Sequence, residues 1–198
     1  MAKCLGNQDF TRHGHDQRGP YRWRVYRLEK GGCTHGEFGA TQSRERCAQV
    51  PLIVDDVFIE TRRSDLHGLG VFALRPIAFG TTVIEYVGEI ISMEEAQRRH
   101  PHDPANPEHT FYFFIDNSRV IDAVNGGNAS RWINHSCKPN CEPFEKNGRI
   151  FVRTRRAVYK NEELTFDYGL VSDEPVTEAL KLRYACRCGA KKCRKSML

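Results

Sequence analysis

The segment RWINHSCKPNC, Arg131 to Cys141, packs an amide at Asn134, an imidazole at His135 and thiols at Cys137 and Cys141 into a few residues. It is too polar for an ordinary buried strand and too specific for a solvent loop. A second dense cluster closes the chain, where CRCGAKKC sets Cys186, Cys188 and Cys193 in C-x-C-x4-C spacing. Structural zinc is tetrahedral and takes four Cys or His ligands. The tail trio lacks one ligand, and an upstream cysteine would complete the site and pin the tail to the core. Cys137 is the candidate, which leaves Cys4, Cys33, Cys47 and Cys141 as free thiols.

Three further stretches carry chemical potential, and each also has an ordinary structural explanation. In HGLGVFA, His67 to Ala73, two glycines one residue apart permit close backbone approach to a ligand, or simply a hairpin turn. In ELTFDYG, Glu163 to Gly169, Phe166 and Tyr168 stand two apart and so share one face of a strand, as core aromatics also do. FYFFID, Phe111 to Asp116, is an aromatic strand whose usual fate is the core. Asn134 and His135 themselves could serve only to satisfy buried backbone groups.

The elements that must position these residues are short. Strands are predicted at Val57–Arg62, Leu69–Leu74, Thr82–Tyr86, Phe111–Ile115, Val120–Asp122, Ile150–Arg155 and Leu164–Asp167, from apolar runs broken by Gly, Pro, Asn and Asp. SMEEAQRRH predicts a helix with Ser92 as N-cap, acidic residues in the first turn and basic residues in the last. HPHDPANPEH, with three prolines, predicts a loop, and VTEALKLRY a second short helix. Without βαβα alternation or repeats, the fold class is mainly β with short helices, built from several small sheets. Residues 1–50 hold few apolar runs and read as a disordered or loosely attached extension, with strand-like alternation only around Tyr21, Trp23, Val25 and Leu28.

The bulk numbers are compatible with this and decide little. The chain has 198 residues, 39% hydrophobic and 28% charged, with eight cysteines and a formal charge of +5. It holds no membrane-length apolar run and no apolar leader, so a reducing intracellular compartment is expected and the thiols read as metal ligands before disulfides. From Lys181 to Leu198 there are seven Lys or Arg and no acid, a basic tail open to nucleic acid or an acidic partner.

The order of the motifs is more telling than any one of them. HGLGVFA, EYVGE, FYFFID, RWINHSCKPNC, ELTFDYG and CRCGAKKC in succession resemble the SET-domain protein lysine methyltransferases of trithorax type, with their cysteine-rich post-SET end. The resemblance covers about residues 57–198, and it implies a SET domain over 57–172 followed by a post-SET helix and zinc-binding tail over 173–198. It also implies a knot-like threading of the NHSC segment under the ELTFDY segment.

By this resemblance, S-adenosyl-L-methionine is the methyl donor, zinc is structural, and the substrate lysine enters from the opposite face. The His67–Gly68–Leu69–Gly70 turn would contact the donor through its backbone, Asn134 and His135 would hold its methionine and adenine ends, and Arg187 would lie against the adenine. Tyr168 matches the family's catalytic tyrosine. Phe166 occupies the position that gates the number of methyl groups, and Phe there implies di- or trimethylation. The metal set is Cys137, Cys186, Cys188 and Cys193.

Three departures accompany the resemblance. The family's tyrosine position on FYFFID falls on Phe111, so Tyr112 is expected to face the donor through a local bulge. Lys195 stands where many relatives have glycine, and no pre-SET cysteine cluster precedes residue 57. The expected partner is a basic protein such as a histone tail, with no membrane. The alternatives are a catalytically quiet SET-like module that binds peptides, or a zinc-stabilised nucleic-acid binder. Location is left open between chromatin in a eukaryote and cytoplasm or host delivery in a bacterium.

Overall fold

A computed structural model describes residues 58–100, 110–116, 118–172 and 175–198. The extension over 1–50 and most of the proline-rich loop lie outside the described residues.

Among the described residues, ten strands form three small sheets. One has the order β1 (Ile59–Arg63), β2 (Leu69–Ala73), β10 (Glu163–Phe166), β7 (Asn134–His135); β1–β2 and β2–β10 are antiparallel and β10–β7 parallel. The second has β3 (Thr82–Tyr86), β9 (Arg149–Thr154), β8 (Cys141–Lys146), and the third β4 (Glu89–Ser92), β6 (Arg119–Asp122), β5 (Tyr112–Phe114), all antiparallel. A short 3-10 helix, Ala129–Trp132, leads into β7. The expected strands and both helices are present, and β4, β7 and β8 are additions. β8 carries Pro143 and charged residues, which suit its place at a sheet edge and conceal it in the sequence. The β8–β9 hairpin closes on Asn147 and Gly148, with φ of 54° and 76°, the two left-handed positions of a tight hairpin turn.

The core gathers where the sheets meet, around Val71, Ile121, Ile133, Ile150, Val152 and Leu164. Helix α1 (Met93–Arg99) starts as expected, with Ser92 Oγ accepting from the Glu95 amide at 3.1 Å. It buries Ala96 against Ile91, Phe114 and Val120. Arg99 ties it down through Glu89, Glu95 and the fully buried Asp122. Helix α2 (Glu178–Arg183) is capped by Thr177 and delivers the cysteine tail. Among the described residues no helix is long and apolar enough to cross a membrane.

Candidate active site and metal centre

The two-residue strand β7 decides the site. Its parallel pairing sets Asn134 beside Thr165 and His135 beside Phe166, so the NHSC and ELTFDY segments lie in contact. Asn140 locks the register from below: its amide donates to the Glu163 carbonyl at 2.8 Å, and its Oδ1 accepts from the Thr165 amide at 2.8 Å. This residue is 2% exposed, and the sequence marked it only as the end of KPN.

His135 Nδ1 accepts from the Tyr168 amide at 3.1 Å, which places any ring proton on Nε2. Burial pushes the imidazole down to about 4, so it is neutral near pH 7. The Tyr168 hydroxyl donates to the Ile133 carbonyl at 2.9 Å. Burial, with the Glu163 carboxylate nearby, raises that phenol above its ordinary range and keeps it protonated. Phe166 lies behind it, ring centroids 5.2 Å apart.

The turn before β2 is clamped by side chains. Asn134 Nδ2 lies 3.2 Å from the His67 carbonyl, 2.9 Å from the Leu69 carbonyl and 2.8 Å from Glu163 Oε1. Glu163 also accepts from Ser64 Oγ at 2.8 and 2.9 Å. Gly68 takes a left-handed φ of 48°, and a Cβ on Gly70 would stand 2.3 Å from Glu163 Oε1. The two glycines therefore do different work: one makes the turn and the other admits the carboxylate. Glu163 entered the sequence reading only as the first residue of ELTFDYG and Ser64 not at all, because their role here rests on long-range contacts.

These groups border a cavity of about 800 Å³. His67, Gly68, Leu69, Asn134, His135 and Tyr168 line one side, and Arg187, Cys186 and Cys188 of the tail line another. Aromatic and cationic walls come from Phe111, Trp132 and Arg131, the first two edge-to-face at 4.9 Å. Gly70 and Phe166 stand behind this lining.

The strand FYFFID differs from expectation. Register runs unbroken from Tyr112 opposite Asp122 to Phe114 opposite Val120, so no bulge intervenes. Tyr112 packs with the α1 cluster, its hydroxyl donating to the Ala96 carbonyl at 3.1 Å, and Phe111 lines the cavity instead. Without a bulge, strand alternation sends neighbours to opposite sides, and α1 claims the tyrosine.

Four thiols converge at the tail. The sulfurs of Cys137, Cys186, Cys188 and Cys193 all lie within 4.8 Å of one another. Cys137 Sγ is 3.7 Å from Cys186 Sγ and 3.8 Å from Cys193 Sγ. A disulfide needs about 2.05 Å. A tetrahedron with metal–sulfur bonds of about 2.3 Å has edges of about 3.8 Å, so the set fits zinc. Backbone amides point at the sulfurs: Arg194 N at Cys137, Lys195 N at Cys193 and Cys137 N at Cys188, at 3.3 to 3.5 Å. Lys195 sits at φ 63°, a left-handed position that glycine fills without strain, which explains the glycine seen there in the related pattern.

The SET domain profile matches residues 68–169, more than half of the chain. The chain belongs to the SET-domain family. It is 37% identical over 140 residues to "Histone-lysine N-methyltransferase trr" of Drosophila melanogaster, 68% of this chain and 6% of that protein. It is 39% identical over 139 residues to "Histone-lysine N-methyltransferase 2D" of Homo sapiens, 68% of this chain and 2% of that one. It is also 40% identical over 138 residues to "Histone-lysine N-methyltransferase ATX2" of Arabidopsis thaliana, 67% of this chain and 12% of that one. The chain thus spans a small part of each of these relatives. Three of the four clustered cysteines, Cys186, Cys188 and Cys193, follow the SET match and fit a post-SET segment.

Proposed function

We propose that this SET domain is an S-adenosyl-L-methionine-dependent protein-lysine N-methyltransferase acting on a histone tail or another basic protein. The observation that carries the reading is the placing of the Tyr168 hydroxyl, Asn134 and His135 on one wall of a single cavity, closed on another side by the cysteine tail. The relatives named as histone-lysine N-methyltransferases support the same chemistry.

When bound, the donor supplies an electrophilic methyl on a sulfonium. Its partner must be a neutral amine, yet free lysine has a pKa of about 10.4, roughly three units or 4 kcal/mol from neutrality near pH 7. A desolvating aromatic wall favours loss of that proton to solvent before transfer. The Tyr168 hydroxyl spends its own proton on Ile133, so its oxygen is left as an acceptor that orients an amine N–H. Held protonated by burial, the phenol positions rather than abstracts. The Asn134 amide N–H groups are committed to the turn and Glu163, leaving Oδ1 as its acceptor toward the cavity ligand. The neutral His135 presents no repulsive charge to a sulfonium. The four cysteines would hold structural zinc, and Arg187 would border the donor's adenine. Phe166 adds no hydroxyl beside Tyr168, so space remains for di- or trimethylation.

The test is transfer of labelled methyl from S-adenosyl-L-methionine to a panel of core histones. Label should appear on a histone and fall roughly 10²- to 10³-fold with Tyr168→Phe. If the protein neither binds the donor nor transfers label, the reading falls and a peptide- or nucleic-acid-binding module takes its place.

A further inference from the structure

The metal centre and the reactive tyrosine are joined by a closed ring of contacts whose one ionic link is Asp167–Arg194. Arg194 belongs to the tail: its backbone amide points at Cys137 Sγ from 3.4 Å, one residue after Cys193. Its guanidinium reaches back to the carboxylate of Asp167 in a two-point pair, 2.6 and 2.8 Å. The same carboxylate accepts from the Gly169 amide at 3.0 Å, which fixes the turn on both sides of Tyr168. The Tyr168 amide then donates to His135 Nδ1, and His135 Nε2 lies 3.4 Å from Cys137 Sγ, closing the ring. The residues around Arg194 also brace the cavity wall, since Cys186 N donates to the Lys195 carbonyl and Met197 N to the Tyr184 carbonyl.

We infer that Asp167 and Arg194 are positioning residues, a latch by which the metal-bound tail holds the Tyr168 turn in its working geometry. The inference rests on the methyltransferase reading only for its kinetic consequence. Their side chains are 27% and 41% exposed, and pairs that wet add little to global stability. What the pair supplies is direction. A planar guanidinium fork meets both carboxylate oxygens at once, fixing one rotamer of Asp167 in a way that a lysine point charge does not. Burial pushes the Asp167 carboxyl up, but Arg194 and the Gly169 amide, among other partners, together hold it below its ordinary range. Neither residue lines the cavity itself, but Asp167 Oδ1 lies 3.5 Å from His135 Nδ1, so the latch acts through His135 and Tyr168.

The test uses the full chain with Arg194→Gln, Arg194→Lys, Asp167→Asn and the double variant Asp167→Asn/Arg194→Gln. Three quantities are read: bound zinc, hydrogen exchange of the 163–169 segment, and kcat against KM for a histone peptide. Zinc should stay at the wild-type level, because the Arg194 amide rather than its side chain faces Cys137. Exchange should quicken in each variant, and kcat should fall roughly tenfold with KM within about twofold. Arg194→Lys should recover only part of the loss, and the double variant should be no worse than either single. Unchanged exchange, zinc loss in step with activity, or additive losses in the double variant would each overturn the latch. Should wild type transfer no methyl while exchange still depends on the pair, the latch stands and the methyltransferase reading falls.

Discussion

Strand β9 buries Ile150, Phe151 and Val152 to 1% exposure or less, whereas α2 and the tail after it bury only Leu180, Tyr184, Cys186 and Ser196. The tail lines the cavity, whereas β9 lies in the core. They are held by different physics. A buried aliphatic side chain contributes about 1.5–3 kcal/mol through removal from water, and β9 gathers several with a hairpin that fixes its register. The tail cannot collect that much apolar area in so few residues. It relies on four thiols at tetrahedral spacing and an ion pair to Asp167. A fold can thus rest Tyr168 on a water-excluding core while part of the surrounding cavity is lined by a tail held through four thiols and an ion pair.

This contrast can be broken experimentally, and the largest effect should come from the metal. Chelation should remove folding free energy on the order of 10 kcal/mol from the tail alone. Limited proteolysis should then cut after α2, donor binding should vanish, and the β-core should keep its circular dichroism. Joint collapse of core and tail would erase the distinction. Next in size, Ile150→Ala should cost about 2–5 kcal/mol in denaturant unfolding, with zinc content unchanged in the folded fraction. If it also released zinc from folded protein, the two regions would not be separable.

Asn140→Ala probes the joint between them. It strips the Thr165 amide and Glu163 carbonyl of their partner in a buried place, at about 1–3 kcal/mol. Methyl transfer should fall further than the loss of folded protein explains, because β10 leads into the turn that carries Tyr168. The smallest effect on stability, within about 1 kcal/mol, is expected for Phe166→Tyr. That variant should instead shift products toward monomethylation, read by mass spectrometry of the peptide; an unchanged distribution would remove Phe166 from its proposed role.

Local rules were legible in the chain. Apolar runs broken by Gly, Pro, Asn and Asp located seven strands near their observed bounds, Ser92 and its acidic first turn announced α1, and the C-x-C-x4-C spacing announced a site one ligand short. Strands β4, β7 and β8 escaped notice. β7 is two residues long and exists only because β10 lies beside it, and β8 hides behind Pro143. Tyr112 was expected to face the donor, yet it packs with the α1 cluster while Phe111 lines the cavity, since nothing local says which of two adjacent aromatics a nearby helix will take.

The sequence by itself thus determined the strand and helix segments, the presence of a thiol site and the membership of the SET family. Propensity, periodicity and motif spacing are properties of neighbouring residues, and they need no partner to be read. Only the tertiary structure decided which wall Phe111 lines, and that Glu163 buttresses the Gly70 turn through Asn134 and Ser64. It alone revealed that Arg194 ties the cysteine tail to the turn carrying Tyr168. Each of these depends on the register and packing of segments far apart in the chain, where a shift of one residue turns a side chain to the other face.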